Sequence, residues 1–230
     1  MTLPSGTRPL STPALLLNRR NLFLGAAGAA AAAIGSGALA TPAQAAIIER
    51  QATLTRARLD ELAARSYAIF NENNVLPGYD PALHSAANDV ELYRITTFTQ
   101  VPETGEALKI SGLLALPSGA KGPLPVVSWQ HGTVFSFAQV PSNLYLAAQP
   151  GYEMQENVDS QETLLNVHRL AAGGYAVIAA DYLGKGPYRG RQPEAYAVKD
   201  ASTRPTIDIL NAGLQGMRQL GIEPAELFLN

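Results

Sequence analysis

Apolar positions change period several times along the chain, and each period predicts an element. Between residues 46 and 71, Ile47, Ile48, Leu54, Leu59, Leu62, Ile69 and Phe70 fall on one face of a 3.6-residue turn, with Glu49, Arg50, Arg58, Asp60, Glu61 and Arg65 around them. This spacing predicts one leading amphipathic helix. Its polar side mixes acids with bases, which favours packing on a domain over a seat on a membrane surface. Residues 73–88 hold Pro77-Gly78 and Asp80-Pro81 without a period and read as a surface loop. Residues 90–101 and 107–116 are rich in β-branched, aromatic and apolar side chains, and Pro102 to Glu106 between them supplies turn chemistry, so an antiparallel hairpin is expected. Residues 124–130 and 175–180 are short continuous apolar runs, as in strands buried on both faces. Helices are expected over 158–172, where Leu164, Leu165, Val167, Leu170 and Ala171 share a face before Gly173-Gly174, and over 200–220, where Ile207, Leu210, Leu214 and Met217 do so before Gly221. Pro205 falls near the start of that second helix, and Leu227 to Leu229 open another apolar strand. Hairpin, strand, helix, strand, helix, strand is the order of an α/β fold, a mostly parallel sheet with helices on its faces.

The first 45 residues have a different composition. They carry Arg8, Arg19 and Arg20 as their only charges, then an Ala/Gly-rich apolar run over 22–40 and the small-residue site Ala43-Gln44-Ala45. A basic start, an apolar run and an A-x-A site describe a secretory signal peptide. Arg19-Arg20 followed by Asn21-Leu22-Phe23-Leu24 resembles the twin-arginine export signal of bacteria, which implies the twin-arginine machinery as a partner and a periplasmic or extracellular destination. An uncleaved anchor is the alternative, disfavoured because alanine and glycine face lipid poorly. Three regions are therefore expected: signal peptide 1–45, leading helix and loop 46–89, and the α/β domain 90–230.

Composition narrows the chemistry. The chain has 230 residues, 47% hydrophobic and 16% charged, which suffices for one sizeable core. With no cysteine, disulfide frameworks, thiolate zinc sites and cysteine nucleophiles are excluded. A formal charge of −2, falling to −5 without residues 1–45, offers no bulk attraction to nucleic acid. His84 near Asp80 and Asp89 is too loose a set for a metal site, and Lys185-Gly186 lacks the spacing of a phosphate loop. No cofactor is indicated.

Ligands of open parallel sheets gather outside the carboxyl ends of the strands. Two such ends are informative here: Trp129-Gln130-His131-Gly132-Thr133, where glycine can let the backbone approach a ligand and leave N–H groups free for a negative oxygen, and Asp181-Tyr182-Leu183-Gly184-Lys185-Gly186. With these motifs, residues 90–230 resemble the N-terminal half of an α/β-hydrolase, close to bacterial secreted esterase and lipase-like members. The resemblance implies that Thr133 gives an oxyanion-hole N–H, that Gly132 allows the turn and that His131 supports the site from behind. A plain tight strand exit is the competing reading of His131-Gly132. Asp181 would shape its loop and not serve as the triad acid, and His168 would lie on a helix surface or rim.

In that family the nucleophile serine lies in a G-x-S-x-G turn after the strand that opens near Leu227, with the acid and the histidine later. None of the three is in this sequence, whose Gly35-Ser36-Gly37 belongs to the signal segment. The chain is therefore expected to be a reading frame cut before its nucleophile turn and inactive by itself. The complete protein is expected to be an exported serine hydrolase of small-molecule or lipid-like esters. Phe135, Phe137, Leu144, Tyr145, Leu146 and Tyr152 are candidates for an apolar acyl pocket or for anchors of their own loop. A peptidase, a haloperoxidase or a non-catalytic binding protein would share every residue visible here.

Overall fold

The structure, a computed structural model, describes residues 46–71, 75, 77–156, 158–190, 194 and 198–230. The signal-peptide expectation, with Arg19-Arg20, lies outside them. No helix among the described residues is long and apolar enough to cross a membrane.

Six strands form one sheet in the order β1-β2-β3-β5-β4-β6: β1 (Ile47–Leu54), β2 (Val90–Gln100), β3 (Ala107–Pro117), β4 (Leu124–Trp129), β5 (Ala176–Ala180) and β6 (Pro224–Leu229). The first three pair antiparallel, β3 meets β5 antiparallel, and β5, β4 and β6 are parallel neighbours. Strands β2, β4, β5 and β6 thus share one direction, so the sheet is mixed but mostly parallel. The expected hairpin is present with eleven paired positions, from Val90↔Pro117 to Gln100↔Ala107.

Side-chain alternation sorts the core into two layers. Leu92, Leu113, Ala115, Val127, Trp129 and Val177 face α1 (Arg56–Phe70) and α3 (Gln161–Asn166), while Ile95, Leu114, Leu116, Val126 and Ile178 face α4 (Lys199–Gln219). Burial on both faces is why β4 and β5 read as unbroken apolar runs. On the second face α4 comes close because glycine lines the contact. A Cβ at Gly213 would lie 2.7 Å from Ile178 Cδ1, and one at Gly112 of β3 would lie 2.5 Å from the Ala179 carbonyl.

Four expectations need correction. Residues 47–54 are a strand on the edge of the sheet, not the first turns of the leading helix. Their apolar positions suit either period, and the pairing of Ile47 to Leu54 with β2 decides between them. Thr55 marks the change: its hydroxyl accepts the Arg58 N–H and caps α1. The presumed loop contains a short helix, α2 (Pro81–His84), capped by Asp80. Pro205 sits inside α4 rather than in its first turn, because the helix begins at Lys199. β6 starts at Pro224, three residues before its apolar run, and shows Leu227, Phe228 and Leu229 to solvent.

Candidate functional site

The carboxyl ends of β4 and β5 are neighbours, so the segments that leave them meet. The β4 exit, residues 130–137, is held by the β5 exit through three of its carbonyls. Tyr182 Oη donates to His131 O at 3.2 Å, Lys185 Nζ to Val134 O at 3.3 Å, and the Gly186 N–H to Phe137 O at 2.9 Å. In a planar trans peptide the C=O and the next N–H point in opposite directions. Pulling the His131 carbonyl toward Tyr182 therefore turns the Gly132 N–H the other way, where it meets the Glu162 carboxylate at 3.3 Å. The same logic at Val134 sends the Phe135 N–H to Gln139 Oε1 at 3.1 Å.

The clamp has its own supports. Tyr182 adopts φ 65°, a left-handed conformation that a bulky residue takes only when its surroundings impose it. Burial, with the Glu162 charge second, pushes its phenol up to about 12, so it remains a donor. Lys185 is 4% exposed, and its ammonium also meets Glu194 at 2.8 Å. Those partners occupy the cation that a phosphate loop would use. Asp181, fully buried, accepts the Ser111 hydroxyl at 2.5 Å and the Ser142 N–H at 2.9 Å. It ties the 3-10 segment Pro141–Ala148 to the end of β5. Burial raises the Asp181 carboxyl above its ordinary value, against the pull of the two serine bonds.

His131 is 5% exposed and lies 4.4 Å from the Tyr182 ring. Its Nδ1 is 2.9 Å from the Gly132 carbonyl and its Nε2 is buried without a partner. Burial holds its pKa below the usual 6.5, outweighing the Gly132 carbonyl and the nearby carboxylates. The neutral ring is thus the folded form, and the stability this contributes is present above pH 6.5 and lost as the pH falls below it. His131→Gln is expected to flatten the acid limb of a urea-stability profile between about pH 6.5 and 5. An unchanged limb would assign the slope to other groups.

Thr133 is exposed and lines a cleft of about 190 Å³ with Ile69, Phe70, Phe135 and Glu162. The N–H whose direction the bonding fixes is that of Gly132. Gly132 has no positive φ, and a Cβ there would meet nothing nearer than Glu162 at 3.7 Å. The turn does not require glycine, contrary to the expectation; what glycine leaves is open approach to its N–H.

Of the six candidates for an acyl pocket, Phe135, 87% exposed, reaches this cleft. Leu144 is in the core, Tyr145 packs on the core beneath Arg94, Tyr152 donates to Asp159, and Phe137 lies under Lys185 and Arg189. His168 is buried, not at a rim. It lies in a π turn (Val167–Ala171) after α3, and its Nε2 is 2.9 Å from Asp60, a carboxylate 108 residues away that satisfies the polar ring. Sequence reasoning missed this pair for want of any local signal. His84 Nδ1 bonds the Asp80 backbone, and Asp89 accepts the Arg56 N–H. No group of three metal-ligating side chains occurs among the described residues.

No protein-family model matches the chain, and no curated protein matches it. Solved structures share its fold. A protein described as a hydrolase from Legionella pneumophila superposes with TM-score 0.61 at 22% identity, covering 80% of this chain and 42% of that one. The rice cell wall degrading esterase LipA from Xanthomonas oryzae, in a ligand-bound form, gives TM-score 0.58 at 23% identity, covering 80% and 40%. The fold is therefore the α/β arrangement of these proteins, and the chain spans about two fifths of their length.

Proposed function

We propose that the chain is the N-terminal part of an exported serine hydrolase of carboxylic esters, lipase substrates included, that works through an acyl-enzyme. The supporting observation is the His131–Gly132 peptide, fixed at its carbonyl by Tyr182 and presenting its N–H to a carboxylate. A donor fixed in advance and aimed at negative charge is what a tetrahedral oxyanion needs. Gly132 and Thr133 supply the backbone of the hole, and His131 packs behind them. The apolar cleft wall of Ile69, Phe70 and Phe135 suits the acyl chain of a small or lipid-like ester.

Topology supports the rest. β6 lies beside β4, with the Asn230 N–H on Ser128 O and the Gln130 N–H on Asn230 O. A nucleophile turn following β6 would rise next to His131. The twin-arginine signal accounts for export to the periplasm or beyond.

The test is to extend the reading frame past the Asn230 codon and assay the product on p-nitrophenyl esters. Hydrolysis is expected from an extended product with G-x-S-x-G, and none from the 230-residue chain. Within the active product, Tyr182→Phe is expected to lower kcat about tenfold with little change in KM, since it loosens a donor that acts in the transition state. The second reading, a non-catalytic binding protein, is favoured by Glu162 already holding the Gly132 N–H. An extended product carrying G-x-S-x-G that turns over no ester would select it.

A further inference from the structure

A second cavity, of about 630 Å³, lies among α1, α2 and the π turn after α3 and shares no lining residue with the Thr133 cleft. Its walls include the rings of Tyr67, Tyr79 and His84, whose centroids are 5.6 to 6.4 Å apart. Most polar groups around it are already paired. Tyr67 Oη donates to Pro77 O, and Asp60 accepts the Ala86 N–H and bonds His168. Arg169, Asn166 and His168 of the adjoining helical turns complete the polar lining, and among the described residues no acidic side chain lines the cavity.

Arg169 makes no ion pair or hydrogen bond among the described residues, although it lines this wall. Asn166 gives its amide N–H to Glu162 O, which leaves its carbonyl oxygen over. The π turn that carries His168 and Arg169 is a rare form that occurs frequently at functional sites. An unpaired guanidinium is a rigid fork that fits a carboxylate with two parallel bonds, and the ring faces that line the same cavity favour a flat aromatic body over an aliphatic one.

We propose that this cavity is a binding site for a small aromatic carboxylate. The acid group sits on Arg169 and the ring packs among Tyr67, Tyr79 and His84. The site is independent of the ester chemistry proposed above, since it needs neither the Thr133 cleft nor a nucleophile.

Benzoate titrated into the purified chain, followed by calorimetry and by ligand-observed NMR, tests it, with cyclohexanecarboxylate and phenol as companions. Benzoate is expected to bind with Kd on the order of 1 mM, cyclohexanecarboxylate and phenol severalfold more weakly. Arg169→Leu is expected to weaken benzoate about tenfold or more, and Arg169→Lys by less, because a point charge replaces the fork. Arg169 is exposed, so the variants should melt like the parent chain. Three results overturn the assignment: no benzoate binding up to about 20 mM, binding unchanged in Arg169→Leu, or equal affinity for the aromatic and the aliphatic acid.

Discussion

Gly112→Ala is expected to lower the stability of the domain by about 3 kcal/mol or more, the upper end for overpacking a core. The methyl group would lie 2.5 Å from the Ala179 carbonyl and 2.6 Å from Cγ2 of Ile209. Ile209 is fully buried on α4, and Ala179 is a paired residue of β5. Neither can yield without parting the sheet or lifting the helix. For a chain of this size that corresponds to roughly 6–12 °C in Tm. Gly132→Ala is the matched control, with an expected change within about 0.5 kcal/mol, because its Cβ enters open space near a flexible carboxylate. Urea melts of both variants decide the matter, and a loss under about 1 kcal/mol at Gly112 would show that α4 shifts more freely than the contact implies.

Asp181→Ala should cost about 3 kcal/mol for a different reason. The Ser111 hydroxyl and the Ser142 N–H would each lose their acceptor inside the protein, at about 1–3 kcal/mol apiece. Relief of the buried charge offsets part of this. The carboxyl's pKa is raised by burial, so its stability contribution is greatest below pH 3.8 and declines as the pH rises through the raised value. Asp181→Asn, which no longer titrates, should therefore gain on the parent chain as the pH rises. Paired urea profiles from pH 4 upward would read this directly, and a difference that shrinks with pH would mean that the serine bonds outweigh burial.

The sequence was most legible where physics is local or periodic. The hairpin followed from β-rich runs around Pro102 to Glu106, and β4 and β5 from apolar runs that burial on both faces demands. β1 was hidden because Ile47, Ile48 and Leu54 satisfy a helical as well as an extended spacing, and 35 residues separate it from its partner strand β2. At the site, His131-Gly132-Thr133 stood out as a glycine turn after a buried strand. The Tyr182 bond that orients it joins a side chain to a backbone carbonyl 51 residues away and leaves no trace in either segment. His168 was misplaced because a polar ring suggests a surface, whereas Asp60 makes its burial tolerable.

The grip of the β5 exit on the β4 exit also bears on modularity. Three bonds cross between them, Tyr182 to His131, Lys185 to Val134 and Gly186 to Phe137, and a fourth joins Ser142 of the following 3-10 segment to Asp181. A graft that moves residues 130–142 into another scaffold would carry the recognisable motif and leave behind the groups that aim it. Inheritance and engineering alike must treat the two exits as one cassette, two stretches of chain that change together or lose their shape together.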